Sequence, residues 1–232
     1  ISESSRHDIL KRWPALEHKL TVIPHGIGDE YFTAMEGALP TALSARLGAS
    51  PYLVYLGGSL KRKRFDWALR VLAAADRSDL HLVACGFDQA SRAQAARALP
   101  DLQRGRVHFA PFLSNTELFA LYRGARAVLY PTLYEGFGFP AVEAQAAGTP
   151  VLFSALGSLA ELTGPLAFLV DPYDIGAWTS ALQDALALGE RRADLARAAL
   201  VWTQRFSWQQ SVEQHLAVYR QAIGDHAGPD AA

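Results

Sequence analysis

Short apolar runs that end near glycine or proline recur along this chain, with helical patterns between them. Runs of this kind predict strands buried on both faces, as in a parallel sheet. They lie at 20–24, 52–56, 80–86, 106–110, 127–130, 151–153 and 168–170. Strands that alternate with amphipathic helices predict an α/β fold. We therefore expect a doubly wound, Rossmann-like parallel sheet with right-handed crossovers.

Composition limits the class of protein. Of the 232 residues, 50% are hydrophobic and 19% charged, which is enough for a substantial core. The net charge of −1 provides no global basic field for nucleic acid. A single cysteine, Cys85, forms no intrachain disulfide and favours a reducing compartment. No apolar run approaches the ~18 residues of a membrane span. The first residue, Ile1, is not an initiator methionine, so we expect a fragment.

The stretch from 127 to 150 is the most informative part of the chain. An apolar strand at 127–130 is followed by a loop containing Gly136 and Gly138, where the backbone can approach a ligand closely. Pro140 suits the first turn of a helix, and Gly148 suits the position just after its end. The order of strand, glycine loop and helix N-terminus directs amide groups at one point, which suits an anion such as phosphate.

Two carboxylates lie on either side of this anion site. Glu135 opens the loop, and Glu143 is predicted in the first helical turn. Carboxylates accept hydrogen bonds from hydroxyls, so a phosphate site between two of them describes a nucleotide sugar with its ribose and its hexose. For Glu143 alone, an acidic residue that offsets the helix dipole is an equally good explanation.

The segment EGFGFPAVE, from Glu135 to Glu143, resembles the two-glutamate motif of the retaining family-four glycosyltransferases, which have the GT-B fold. The resemblance implies that Glu143 binds the ribose hydroxyls and that Glu135 lies by the hydroxyls of the donor sugar. It also implies that the loop between them, made of Gly136, Phe137, Gly138 and Phe139, faces the donor. The chain would then be the C-terminal, donor-binding half of a GT-B enzyme.

A basic run, 61–64, directly follows the strand at 52–56. Ligands of open α/β sheets bind at the carboxyl ends of strands, although a basic run can also be a solvated face or a nucleic-acid patch. Here the chain resembles the family's G-G-S-x-x-R-K motif. The resemblance implies that Gly58 and Ser59 bind donor, and that Arg62 and Lys63 hold its pyrophosphate and, with Glu135, form the catalytic set. Lys61 and Arg64 are expected to face solvent.

Further donor contacts are implied by the same resemblance. His25 lies in a glycine turn that is similar to a family loop facing the donor; a loop histidine with a purely structural role is an equal alternative. The base would be held near two strand ends, around Gly86 and around Phe112 and Leu113. No histidine stands at a spacing suited to a metal, and the family needs no essential metal, so we expect no cofactor.

Helix-start signals are also readable. Ser4 or Ser5 is predicted to cap the first helix, Ser114 or Asn115 another with Glu117 behind it, and Ser207 the last. The turn from 171 to 174 has two aspartates that could be mistaken for a metal site; its proline and its position favour a helix cap. Helices are expected at 175–188 and 190–204.

These observations predict a domain plan. We expect a linker helix between domains at 1–19, the donor-binding domain at 20–206, a helix crossing back to the other domain at 207–223, and a disordered tail at 224–232. The acceptor-binding N-terminal domain would lie outside this chain. Through that domain, we expect a cytoplasmic protein that contacts the inner face of the membrane.

The predicted function is transfer of a hexose from a nucleotide sugar, with GDP-mannose as the first candidate, to a glycan or a lipid-linked acceptor. The fragment alone is expected to bind donor and transfer no sugar. Two alternatives remain. One is another GT-B activity, such as a sugar-nucleotide epimerase or a phosphorylase. The other is a noncatalytic module that binds a nucleotide or a carbohydrate.

Overall fold

The computed structural model describes residues 1–33 and 37–226, with the backbone alone at 225 and 226. Within these residues a six-stranded, wholly parallel sheet forms the centre of the molecule, in the order β3-β2-β1-β4-β5-β6. Its strands are β1 (Tyr52–Leu56), β2 (His81–Cys85), β3 (Val107–Phe109), β4 (Ala127–Tyr130), β5 (Val151–Ser154) and β6 (Ala167–Val170). The predicted α/β fold is confirmed.

Helices cover both faces of the sheet. They are α1 (Glu3–Arg12), α2 (Thr41–Leu47), α3 (Phe65–Ala74), α4 (Gln89–Ala98), α5 (Asn115–Gly124), α6 (Phe139–Ala146), α7 (Ile175–Leu186), α8 (Arg191–Thr203) and α9 (Trp208–His226). Short 3-10 helices lie at Pro14–Lys19, Asp29–Tyr31, Lys61–Lys63, Asp101–Gln103 and Gly157–Leu162. The core residues of α3 and α7 pack on one face, and those of α5 and α6 on the other.

Alternation along the strands explains why they are apolar throughout. In β4, Val128 and Tyr130 belong to the core cluster on the α5–α6 face, whereas Ala127 and Leu129 belong to the cluster on the α3–α7 face. All four are at most 1% exposed. A strand covered on both faces excludes water from every side chain, so it needs a continuous apolar run rather than an alternating one.

The predicted caps of α5 and α7 are confirmed. Ser114 and Glu117 form a capping box at the start of α5, in which each side chain accepts from the other residue's backbone N–H. The Asp174 side chain accepts from the N–H of Ala177 at 3.0 Å and so caps α7. The acidic turn before α7 is therefore a helix cap.

The cap of α1 differs from the prediction. Ser2, not Ser4 or Ser5, is the N-cap residue, and its hydroxyl accepts from the N–H of Ser5 at 3.1 Å. The backbone amides of Glu3 and Ser4 donate to the carboxylate of Glu161, at 2.9 and 2.7 Å. This distant carboxylate satisfies the first turn, so the helix begins earlier than the local signal indicates.

The predicted first strand at 20–24 is wrong. This segment has no strand structure, and its continuation makes only an isolated bridge between Ile27 and Ser207. The N–H of Ile27 donates to the carbonyl of Phe206 at 2.8 Å. The apolar character that suggested a strand instead serves burial of Ile23 and Ile27, which are 8% and 1% exposed.

The last helix is longer than predicted. α9 continues through His226, so residues 224–226, which were expected in a disordered tail, are helical. Residues 227–232 of that predicted tail lie outside the described residues. Ser207 does cap this helix, since its hydroxyl accepts from the N–H of Gln210 at 3.2 Å.

Candidate functional site

The order of the strands creates a crevice between β1 and β4. The chain runs from β1 outwards to β2 and β3, and then returns to place β4 on the other side of β1. The loops that follow β1 and β4 therefore leave the same edge of the sheet in opposite directions. Such a switch point is where open α/β sheets bind ligands. The loop after β1 carries Arg62 and Lys63, and the loop after β4 carries Glu135.

The loop after β1 begins with a close approach between two backbones. Gly58 has a φ of +59°, and a Cβ atom there would lie 2.2 Å from the carbonyl oxygen of Gly86. Its N–H donates to the carbonyl of Cys85 at 3.0 Å. Only glycine suits this conformation and this contact. The predicted donor residue Gly58 therefore joins the ends of β1 and β2.

Arg62 and Lys63 converge on Glu135. Their side-chain nitrogens lie 2.9 and 2.5 Å from the same carboxylate oxygen, Oε1. Arg62 also donates to the carbonyl of Tyr134 at 2.7 Å, and the Lys63 ammonium donates to the hydroxyl of Tyr130 at 2.8 Å. The three residues predicted as the catalytic set are thus brought together from two separate loops.

The Glu135 carboxylate is held as an anion. Thr132 donates to it at 2.8 Å, in addition to the two cations. Burial raises the pKa of Glu135, but the hydrogen bonds from Lys63 and Thr132 outweigh burial, so the pKa lies below its ordinary value. The backbone of the loop after β4 is also held in place, because the buried hydroxyl of Ser158 donates to the carbonyls of Glu135 and Phe137 at 2.8 and 3.0 Å.

A cavity of about 360 Å³ opens at this point, and we call it the β1–β4 cavity. The loop glycines and the N-terminus of α6 form one side, and Gly138, with a φ of +112°, is the N-cap residue of α6. The cavity is lined by Ile1, His25, Leu56, Gly57, Lys63, Tyr130, Glu135, Gly136, Phe137, Gly138, Phe139 and Pro140. It therefore gathers most of the residues predicted to face the phosphates and the sugar.

His25 enters the β1–β4 cavity from a separate segment. Its ring stacks on Phe139 at 5.5 Å with planes 10° apart, and meets Phe137 edge-on at 5.5 Å. The turn below it is tight, since a Cβ on Gly26 would lie 2.1 Å from the backbone nitrogen of Trp208. Burial lowers the pKa of His25, which favours the neutral ring. A neutral imidazole can both donate and accept hydrogen bonds.

A second, apolar cavity of about 460 Å³ lies beside the first, and the two share Leu56. It is lined by Leu56, Cys85, Gly86, Phe87, Asp88, Pro111, Phe112, Leu113 and Leu118. The predicted base-binding residues Gly86, Phe112 and Leu113 therefore meet in one place. Phe112 is 97% exposed at its rim. An exposed aromatic ring beside an apolar cavity offers a surface on which a flat base can stack.

Glu143 occupies a different position from Glu135. It is the fifth residue of α6, in the second turn rather than the first, and the linings of both cavities lack it. Its Oε2 atom accepts from the hydroxyl of Tyr122 at 2.9 Å. Burial raises the pKa of Glu143 to about 7, and the nearby Glu30 adds to the rise. The predicted ribose ligand thus lies outside the linings of both cavities, with its pKa raised to about 7.

Other residues of the loop after β1 lie apart from Glu135. Ser59, a predicted donor residue, lines a smaller groove of about 310 Å³ against α4. Lys61 lines the same groove and is exposed, as predicted. Arg64 was expected to face solvent, but its guanidinium stacks 3.9 Å above the ring of Trp67 and donates to the carbonyl of Pro172. Its backbone is left-handed, with a φ of 54°. That conformation turns the side chain back over α3, so it is partly covered.

Comparison with known proteins identifies the family. Residues 44–202 match the sequence profile described as "Glycosyl transferases group 1". The chain belongs to this family. The match includes both the Arg62–Lys63 segment and the two-glutamate loop, and it supports the GT-B assignment of the fold.

The curated relatives of this glycosyltransferase chain are longer proteins. It is 33% identical over 241 aligned positions to the D-inositol 3-phosphate glycosyltransferase of Salinispora tropica, covering 94% of this chain and 49% of the relative. It is 45% identical over 123 positions to the enzyme of the same name from Mycolicibacterium vanbaalenii, covering 52% of this chain and 27% of that protein. The chain therefore spans half or less of the length of these relatives.

Solved glycosyltransferase structures share the fold. Sucrose-phosphate synthase from Thermosynechococcus elongatus superposes with a TM-score of 0.78 at 26% identity, covering 97% of this chain and 57% of that one. HepE from Anabaena, solved with UDP and glucose, superposes with a TM-score of 0.73 over 87% of this chain and 57% of that one. Its identity of 20% supports a likeness in fold alone.

Several residues of the site were not predicted as donor contacts. Tyr130, Thr132 and Tyr122 supply hydroxyls to the cations or carboxylates of the site. Tyr130 and Thr132 lie on either side of the proline that ends β4, so their closeness to a strand end is a signal that could have found them. Tyr122 fits the apolar stripe of α5, and nothing in its local sequence distinguishes it from a core residue.

Two features are absent from the part of the chain that the structure describes. No group of three or more His, Cys, Asp or Glu side chains there is arranged to hold a metal ion. In the same part of the chain, no helix combines the length and the apolar character needed to cross a bilayer.

Proposed function

We propose that this chain is the donor-binding half of a retaining, family-four glycosyltransferase that moves a hexose from a nucleotide sugar to an acceptor. The observation that carries the proposal is the convergence of Arg62 and Lys63 on Glu135 at the switch point of the sheet, beside the N-terminus of α6. Cations and amides placed together at a strand end suit a diphosphate.

Each part of the donor has a matching group. Arg62, Lys63 and the loop amides bind the diphosphate and stabilise its departure as it gains charge. Glu135 accepts from hydroxyls of the transferred sugar, and His25 lies across the same cavity. The apolar cavity takes the base against Phe112. Glu143 accepts from the ribose hydroxyls. The reaction needs no carboxylate nucleophile and no metal in this proposal.

The donor is a nucleoside diphosphate hexose. GDP-mannose is the first to test, because the His25 loop and the Gly58–Ser59 loop resemble those of mannosyltransferase-like members of the family. UDP-glucose is the second, because the HepE structure contains UDP and glucose. The lining of the apolar cavity gives few polar contacts for a base edge, so a direct binding panel must separate the candidates.

The acceptor reaches the site from the other domain of the longer protein. We propose a glycan or a lipid-linked acceptor at the cytoplasmic face of the membrane. The names of the curated relatives add D-inositol 3-phosphate as a second acceptor to test. The 232-residue chain is then expected to bind donor and to transfer no sugar, because it supplies only one wall of the cleft.

The decisive experiment is calorimetric titration of this chain with UDP, GDP and ADP and with their hexose derivatives. We expect one nucleotide series to bind, and Glu143→Ala to weaken it at least about a hundredfold, since two charged hydrogen bonds are lost and each is worth about 1.5–3 kcal/mol. Glu190→Ala, on the exposed start of α8, is the matched control. An unchanged dissociation constant in Glu143→Ala would reject the ribose role, and no binding by any nucleotide would reject the function.

A further inference from the structure

Tyr122 is a fully buried residue of α5, with 0% of its surface exposed. Its hydroxyl donates to Oε2 of Glu143 across the contact between α5 and α6, at 2.9 Å. A buried phenol hydroxyl needs a partner because it has lost water. Among the described residues, the hydrogen-bond partner of this hydroxyl is a carboxylate assigned above to the donor.

The position of the phenol is rigidly defined. The backbone carbonyl of Tyr122 accepts from the hydroxyl of Thr149 at 2.6 Å and from the N–H of Ala125 at 3.0 Å. Its ring packs in the core cluster on the α5–α6 face, which also includes Val142 of α6. The backbone and the ring of Tyr122 are therefore held by the core, which keeps the hydroxyl beside Glu143.

We propose that Tyr122 is a positioning residue for donor binding. By holding Oε2 of Glu143, it turns the carboxylate so that Oε1 accepts from the ribose hydroxyls. The inference rests on the proposed function, because it assigns Tyr122 a role through the ribose ligand. It goes beyond that function by naming a core residue that touches no donor atom.

The charges around Glu143 strengthen this role. Its electrostatic neighbours are Glu30 and Tyr31 of the 3-10 helix at Asp29–Tyr31, Tyr122 of α5 and Tyr130 of β4. Burial raises the pKa of Glu143 to about 7, and the hydrogen bond from Tyr122 lowers it in part. Loss of the hydroxyl therefore raises this pKa further, and at pH 7 leaves more of the carboxyl protonated and a poorer acceptor.

The test is Tyr122→Phe, with Tyr52→Phe as the matched control. Tyr52 is also buried, and its hydroxyl donates to the carbonyl of Leu121 at 3.0 Å, so the control removes a comparable hydrogen bond without touching Glu143. UDP, GDP and their 2′-deoxy forms are titrated into each protein at pH 7 and pH 8.5. Thermal unfolding of both variants checks that they fold.

At pH 7, Tyr122→Phe is expected to bind the ribonucleotide about tenfold more weakly, the value of roughly one hydrogen bond. Its loss of affinity for the 2′-deoxy form is expected to be smaller, because that ligand keeps only the 3′-hydroxyl as a donor to Glu143. At pH 8.5, where more of Glu143 is ionised in both proteins than at pH 7, the loss should shrink. Tyr52→Phe should match the wild type throughout. An equal loss for ribonucleotide and 2′-deoxynucleotide would overturn the inference.

A measurement on the wild type tests the ribose role of Glu143, which the inference requires, even if the variant does not fold. Ribose hydroxyls that donate to Glu143 favour its ionised form, so ribonucleotide binding near pH 7 should release protons, and binding of the 2′-deoxy form should release fewer. Calorimetry in two buffers of different ionisation enthalpy measures this number. Equal release for both ligands contradicts the inference, whereas failure of the wild type to bind either nucleotide contradicts the proposed function itself.

Discussion

The ammonium of Lys63 and one carboxylate oxygen of Glu135 lie 2.5 Å apart, although the two residues follow different strands of the sheet. Arg62 shares the same oxygen. Glu135 thus pairs with the two cations proposed to bind a diphosphate. A nucleotide must compete with this carboxylate, whereas the hexose of a complete donor gives the carboxylate new hydroxyl partners.

A nucleoside diphosphate without sugar should therefore bind more tightly to Glu135→Gln than to the wild type. Removing one competing ion pair at a partly exposed site is worth about 1 kcal/mol, or about fivefold in affinity. The corresponding nucleotide sugar should gain less, because it loses an acceptor for its hydroxyls. Calorimetric titration of the two ligands measures both effects, with Glu190→Gln as a control of equal charge. Weaker binding of the diphosphate to Glu135→Gln would contradict the competition.

Glu143 should make the protein less stable as pH rises. Burial raises its pKa from 4.5 to about 7, so between these values the folded state binds more protons than the unfolded state. The free energy of unfolding then falls with rising pH through this window, and the stabilisation present below pH 4.5 is gone above pH 7. Glu143→Gln, which stays neutral, should gain up to about 3 kcal/mol over the wild type between pH 5 and pH 8.

Urea denaturation of both proteins at pH 5 and pH 8 measures this difference. Burial lowers the pKa values of His81 and His108. These two residues therefore have the opposite effect: they lower the free energy of unfolding as pH falls below 6.5. These histidines are present in both proteins, so their effect cancels in the comparison. A constant difference between Glu143→Gln and the wild type at the two pH values would show that Glu143 does not titrate as described.

Gly58→Ala should be among the most damaging single changes in the site. It combines a left-handed backbone with a Cβ 2.2 Å from the carbonyl oxygen of Gly86, so we expect a loss of about 3 kcal/mol or more. Gly48→Ala has the same sign of φ but meets no atom within 4 Å, and should cost about 1 kcal/mol. Gly105→Ala has neither problem and serves as the neutral control. Equal losses in the free energy of unfolding for Gly58→Ala and Gly48→Ala would mean that the ends of β1 and β2 can move apart to admit the Cβ.

At position 64, a glycine replacement should be more stable than an alanine replacement, the reverse of the order in a helix. Arg64→Gly loses the contacts with Trp67 and Pro172, about 1 kcal/mol, but keeps an easy left-handed backbone. Arg64→Ala loses the same contacts and adds about 1 kcal/mol of backbone strain, so it should be the less stable of the two. Arg70→Ala removes another cation from the ring of Trp67, at 4.3 Å, without strain. Thermal unfolding measures the stability of the three variants. A higher Tm for Arg64→Ala than for Arg64→Gly would contradict the proposed backbone strain.

Local chemistry was sufficient to predict the α/β fold and to name many of the residues that line the two cavities. Six of the seven apolar runs form strands, because a strand covered on both faces needs a continuous apolar run. Glycine at Gly58 and Gly138 follows from backbone geometry that other residues resist. The family motifs located Arg62, Lys63 and Glu135 because the spacing between strand end and helix start is itself local.

Contacts between distant segments were decided only by the tertiary structure. The segment at 20–24 is as apolar as a strand, yet it pairs with no strand of the sheet. It and the turn that follows bury Ile23 and Ile27 instead, because pairing depends on how distant segments pack. Glu161 caps α1 from 157 residues away. The hydroxyl of Tyr122 reaches Glu143 only because α5 and α6 pack together, and a tyrosine in an apolar stripe carries no sign of such a partner. Sequence patterns report the periodicity and conformation of neighbours in the chain, whereas side-chain partners depend on how separate elements pack.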